Sequence, residues 1–134
     1  MMVSTRGRYA LRVLIDLAEN DNGTFVTMKS VAERQEISQK YLEKIMHLLV
    51  SQNMVEGIHG KGGGYRLTRD PSEYKVSEIL KLTEGELAPV ACLAEGAEPC
   101  PRSSKCRTLP MWIELDRRIN EYLDSVTVAD LMKK

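Results

Sequence analysis

Residues 38–67 read Ser-Gln-Lys-Tyr-Leu-Glu-Lys-Ile-Met-His-Leu-Leu-Val-Ser-Gln-Asn-Met-Val-Glu-Gly-Ile-His-Gly-Lys-Gly-Gly-Gly-Tyr-Arg-Leu, and the fold turns on them. Ser38 is a good N-cap, so a helix is expected from Ser38 to about Asn53. At roughly 100° per residue, Leu42, Ile45 and Leu49 share one side, while Gln39, Lys40, Glu43, Lys44 and His47 spread over an arc of roughly 140° opposite. Val55 to His59 and Tyr65 to Thr68 are short strand-like runs around the tip Gly60-Lys61-Gly62-Gly63-Gly64, which reads as a hairpin.

Upstream, residues 4–20 predict a largely buried helix with Arg8, Arg12, Asp16 and Glu19 as one polar stripe. Asp21-Asn22-Gly23 is a turn, Thr27 to Gln35 resumes a helical pattern, and Gln35-Glu36-Ile37 is a tight connection to Ser38. Two helices, a tight turn and a third helix with a hydrogen-bonding outer arc match the helix-turn-helix, whose second helix lies in the major groove of DNA. The hairpin is then a wing, with glycines admitting the backbone close to phosphates and His59, Lys61 and Arg66 supplying positive or hydrogen-bonding groups. Taken alone, the arc is equally a solvated helix face, and the glycine cluster equally a loop or a phosphate cradle. The cradle is disfavoured because no Ser or Thr follows the Gly-Lys pair and no helix follows the run. The order of the elements carries the DNA-binding expectation.

Downstream, Asp70-Pro71-Ser72 breaks the chain and Val76 to Glu84 predicts a short helix. Pro89 to Pro110 is a loop holding all three cysteines, Cys92, Cys100 and Cys106, within fifteen residues. So long a loop calls for a reason, and an odd, clustered cysteine count in a reducing compartment points to metal or redox chemistry. From Leu109 to about Ser125, Trp112, Leu115, Ile119, Tyr122 and Val126 follow the 3-4 spacing of a helix that packs along a partner or on its own domain. Thr127 caps a final short helix, Val128 to Lys133.

With 134 residues, 43% apolar and 28% charged, the chain suits one domain and excludes disordered, collagenous and disulfide-dense classes. Nineteen basic and 19 acidic residues cancel, so a general polycation role is unsupported and any anion contact is local. Residues 1–75 hold 11 basic and 9 acidic side chains, a slight lean towards a nucleic-acid contact in that half. No apolar run of membrane length and no signal segment is present, so a cytoplasmic protein with no membrane partner is expected. A Ser, His and Asp set is lacking, which speaks against an enzyme.

Three stretches carry a family resemblance: Thr5-Arg6-Gly7-Arg8-Tyr9-Ala10-Leu11-Arg12, Ile37-Ser38-Gln39-Lys40-Tyr41-Leu42-Glu43-Lys44-Ile45, and His59-Gly60-Lys61-Gly62-Gly63-Gly64-Tyr65-Arg66-Leu67, followed by the cysteines and Trp112. In this order they resemble the Rrf2 family of bacterial winged-helix transcription regulators, in particular its iron-sulfur branch, over nearly the whole chain. The resemblance implies that the start of the recognition helix reads bases through Gln39, Lys40, Tyr41 and Glu43, with the wing reaching the neighbouring groove through His59 and Lys61. The full DNA-facing set is then Ser38, Gln39, Lys40, Tyr41, Glu43, Lys44, His59, Lys61 and Arg66. It also implies a cluster loop in which Cys92, Cys100 and Cys106 ligate an iron-sulfur cluster, 2Fe-2S in preference to 4Fe-4S. The fourth ligand is unknown: the position that holds a histidine in relatives is Leu109, leaving Glu95, Glu98, a partner residue or a small molecule.

The expected architecture is mainly α with a small β-hairpin wing: a winged helix-turn-helix over residues 1–75, and a cluster-binding loop with a long dimerisation helix over residues 76–134, forming one compact unit. The expected function is a homodimeric regulator that binds a double-stranded DNA operator under control of the cluster. The alternatives are a thiol- or zinc-based sensor, or a cluster-free regulator controlled by a partner protein.

Overall fold

A computed structural model describes residues 2–60 and 63–133. Helix α1 (Thr5–Glu19) begins where the Ser4 hydroxyl accepts the Gly7 N–H, and it buries Ala10, Val13, Leu14 and Leu17. Helix α2 (Met28–Gln35) is capped by Thr27 and ends at Glu36, whose left-handed backbone (φ +54°) turns the chain. Ile37, 5% exposed, plugs that turn into the core. One residue later Ser38 accepts the Tyr41 N–H and opens α3 (Gln39–Ser51), which buries Leu42, Ile45, Met46 and Leu49. The two caps and the left-handed residue together set the tight turn between α2 and α3.

Strands β1 (Val55–Ile58) and β2 (Gly64–Leu67) pair antiparallel, with Val55 opposite Leu67 and Ile58 opposite Gly64. A third strip joins them: Val26, ahead of α2, exchanges both backbone hydrogen bonds with Tyr65. The strips come so close at Gly64 that a Cβ there would lie 2.2 Å from the Val26 carbonyl oxygen. Glycine at this position is therefore a packing requirement of the sheet as well as a turn signal.

Tyr74, fully buried, donates to the Met54 carbonyl and accepts from the Thr68 and Arg69 N–H groups. It fastens the hairpin to the second half of the chain. There α4 (Val76–Glu84), α5 (Leu109–Ser125) and α6 (Val128–Leu131) follow, the last with a Thr127–Asp130 capping box. Helices α4 and α6 both pack on α1, and Val128 is wholly buried in the core that holds Leu14 and Leu49. A smaller apolar cluster of Val76, Leu80 and Leu87 joins α4 to Leu123 and Val126 at the end of α5.

Asp16 of the polar stripe is itself buried: it is 2% exposed and receives two hydrogen bonds from Arg34, at 3.0 and 2.7 Å, and one from the Gln35 amide at 2.9 Å. Helical spacing placed Asp16 beside Arg12 but could not place α2 across it. A buried carboxylate persists only when so compensated.

Candidate nucleic-acid interface and cysteine loop

The first turns of α3 present Gln39, Lys40, Glu43, Lys44 and His47 to solvent, all exposed, because Leu42, Ile45, Met46 and Leu49 hold the other side against α1 and α2. Tyr41 is half-buried instead, its ring edge-on to Tyr9 of α1 with centroids 5.7 Å apart. The Ser38 hydroxyl is taken by its capping bond to Tyr41, at 3.2 Å. Thus the nine expected DNA-facing residues divide by geometry. Gln39, Lys40, Glu43 and Lys44 are open on one helix face, whereas Ser38 and Tyr41 shape and seat that helix.

On the hairpin, His59 is exposed and shares a cleft of about 230 Å³ with Glu43 and His47 of α3, lined also by Val50, Gly57, Ile58 and Tyr65. Arg66 does not line this cleft; it bonds Glu56 across the strands, and its guanidinium sits 4.5 Å from the Phe25 ring centroid. Lys61, expected at the wing tip, lies outside the described residues. A second cleft of about 730 Å³ runs between the start of α1 and α3, where Arg6 adds a cation beside Tyr41, Lys44 and His47. Sequence reasoning passed over Arg6 and did not place His47 in the site. The Arg6-Gly7-Arg8 run was the available signal for the former, but which way it faced depended on how α1 crosses α3.

Beyond α4 the chain turns at Gly85 (φ +78°) into the cysteine loop. Glu86 anchors the loop, its carboxylate accepting the N–H groups of Leu87, Ala88 and Glu95 at 2.8–2.9 Å. Those bonds, from Ala88 first and then Glu95, hold its carboxyl below the usual carboxylate range. Cys92 is exposed in a short 3-10 turn, Ala91–Leu93, while Cys100 and Cys106 are half-buried, and all three are free thiols. The Cys106 Sγ lies 3.4 Å from the Thr108 hydroxyl, and hydrogen bonding from Thr108 lowers its thiol pKa. Among the described residues, no three His, Cys, Asp or Glu side chains converge closely enough to hold a metal ion. The donor chemistry suits an iron-sulfur cluster, since three soft thiols sit on one loop of high exposure, but this loop conformation does not bring them together.

Helix α5 buries none of its residues. Met111, Leu115 and Tyr122, at 53, 40 and 67% exposure, line one open stripe, and Leu123 and Val126 face the body of the protein. The expected seam is therefore split: Leu115 and Tyr122 are open, Trp112 and Ile119 half-covered, and Val126 packs inward. Beside the stripe Glu114 takes hydrogen bonds from Arg117 and Arg118, which hold its carboxyl down at about 2. No helix among the described residues is long and apolar enough to cross a membrane.

Comparison with known proteins gives one consistent outcome. Residues 3–134 match the family described as Rrf2, iron-dependent transcriptional regulator. The chain is 32% identical over 132 residues to the HTH-type transcriptional regulator IscR of Serratia proteamaculans, covering 98% of this chain and 79% of the relative. Its fold is similar to that of CymR, the global cysteine regulator of B. subtilis, with a TM-score of 0.79, 34% identity and coverage of 98% and 95% of the two chains. It is also similar to T. potens IscR, with a TM-score of 0.74, 32% identity and coverage of 98% and 85%.

Proposed function

The chain belongs to the Rrf2 family of transcriptional regulators, and from that premise we propose a homodimer that grips an operator with two copies of α3 and responds to an iron-sulfur cluster. The observation that carries the DNA-binding part is the exposed face of Gln39, Lys40, Glu43 and Lys44, set beside a hairpin by two capped helices and a three-residue turn. On that face Lys40 has the chemistry for guanine acceptors, Gln39 for adenine and Glu43 for the cytosine amino group, with Ser38, Tyr41, His59, Lys61 and Arg66 positioning the helix and wing on the duplex. The apolar stripe of α5 supports the dimer, since Met111, Leu115 and Tyr122 have no cover within the protomer.

Cys92, Cys100 and Cys106 would hold the cluster, which supplies a redox-labile centre, and the donor set suits 2Fe-2S with a fourth ligand from Glu95, Glu98 or outside the chain. The likeness to IscR regulators supports this reading. The residues' own part is mechanical. The cysteine loop begins directly after Glu84, whose carboxylate accepts both the backbone N–H and the hydroxyl of Ser4 at the head of α1. A shift of the loop is thereby linked to α1, against which α3 is packed.

A second reading is favoured by Cys106, whose thiol pKa is lowered, and by the likeness to a cysteine regulator: a thiol sensor without a cluster, or one governed by a partner protein. Anaerobic purification, with the absorption spectrum and iron and sulfide counted per chain, separates the two. A brown protein whose colour is lost in Cys92→Ala, Cys100→Ala and Cys106→Ala supports the cluster. A protein colourless after reconstitution, with operator binding that follows oxidant and reductant, supports the thiol sensor.

A further inference from the structure

We infer that the cleft between α3 and the hairpin seats one phosphodiester strand of the duplex between His47 and His59, and that DNA affinity therefore rises as these imidazoles take up protons. The inference rests on the reading of the chain as a DNA-binding regulator and adds to it a phosphate site and a response to pH.

The chain has two histidines. They lie on different elements, one on α3 and one after β1, yet both are exposed and both line the same cleft of about 230 Å³. Duplex geometry says what belongs there. A recognition helix in the major groove and a wing in the adjacent minor groove, about 6 Å wide, are separated by one sugar-phosphate backbone. That backbone has to pass between the helix and the wing. The walls suit it, with Val50 and Ile58 offering apolar surface to deoxyribose and the Tyr65 ring packed over Gly57.

A neutral imidazole donates one hydrogen bond to a phosphate oxygen. An imidazolium donates a charge-assisted bond, roughly twice as strong, and histidine in general makes this change between about pH 5 and 8. The charged and titratable groups facing the pair are Glu43, Lys44 and Tyr41 on α3, Arg6 on α1 and Tyr65 on β2. Glu43 is the anion among them, and positive charge on the imidazoles offsets its repulsion of phosphate. Arg66, turned away onto Glu56 and Phe25, adds nothing to this wall.

A phosphate beside an imidazole favours its protonated form, so the complex binds more protons than the free protein and affinity rises as pH falls. Linkage sets the scale, since each proton taken up on binding raises affinity by up to about tenfold per pH unit lowered.

The experiment uses the full chain, folded by circular dichroism, and a fluorescent duplex that this protein selects from a randomised pool. Anisotropy titrations at fixed ionic strength, at about pH 8 and about pH 6, compare wild type with His47→Gln, His59→Gln, the double variant and His47→Lys. Expected are a rise in wild-type affinity of about tenfold on acidification, a smaller rise in each single variant, none in the double variant, and affinity regained at the higher pH in His47→Lys. Equal pH dependence in wild type and double variant overturns the inference and leaves the DNA-binding reading standing. Failure of the wild type to select or bind any duplex at either pH overturns both.

Discussion

Tyr9 of α1 and Tyr41 of α3 meet edge to face, their rings 5.7 Å apart and at 89°, with the Arg12 guanidinium 4.9 Å from the Tyr9 ring centroid on α1. Arg12 also donates to the side chain and carbonyl of Gln35. Helix α3 and the turn before it are thus referenced to the same patch of α1. Tyr9→Leu keeps apolar bulk but removes the ring pair, and is expected to lower stability by about 1 kcal/mol in urea denaturation with an unchanged m value. The same variant is expected to bind operator a few-fold more weakly. Unchanged stability and affinity together would discount the pair.

Arg34→Ala leaves the buried Asp16 carboxylate with the Gln35 amide at 2.9 Å and a long contact from the Asn20 amide at 3.5 Å. Breaking a fully buried pair costs about 3–5 kcal/mol, and because Arg34 is 39% exposed the expected loss is nearer 2 kcal/mol. Arg34→Lys recovers only part, since one ammonium cannot replace the two-pronged contact. Equilibrium denaturation of both variants checks the order.

Lys40→Ala and Glu43→Ala leave stability within about 0.5 kcal/mol, because both side chains are exposed. Each is expected to lose about 1–3 kcal/mol of discrimination at one base pair. Competition binding with matched and singly altered operators reads this directly, and an unaltered base preference in both would remove them as readers.

Gly64→Ala forces the Val26 carbonyl away from β2 and is expected to cost about 2–3 kcal/mol. Hydrogen exchange should accelerate at the Val26 and Tyr65 amides, which pair with each other's carbonyls. Retained protection at both would show that the strip yields without losing its bonds.

Arg69 bonds both oxygens of Glu78 at 2.9 Å, and these bonds hold the Glu78 carboxyl below its ordinary value. A carboxyl lowered on folding contributes stability that is present above the unfolded pKa of about 4.3 and is lost as pH falls through the folded value. Glu78→Gln is therefore expected to cost about 0.5 kcal/mol at neutral pH, a small figure because the group is substantially exposed. The difference from wild type should vanish in acid. Urea denaturation across the acid range checks it, and a pH-independent difference would assign the loss to packing.

Local chemistry was legible in the chain itself. Ser38 capped α3, Thr127 capped α6, the spacing of Leu42, Ile45 and Leu49 set the buried face of α3, and the glycine tip set the hairpin. Each depends on residues within a turn or two of one another, where periodicity and capping act directly. Tertiary structure decided the rest, because it depends on which surfaces meet. It buried Asp16 under Arg34, turned Arg66 onto Glu56 and Phe25, added Val26 to the sheet, and brought His47 and His59 into one cleft. Helical and strand periods say which way a side chain leaves its own axis, but carry no information about the crossing of α1 over α2 and α3. That crossing follows from how the apolar faces pack, and so do the partners of every charged group at the seams.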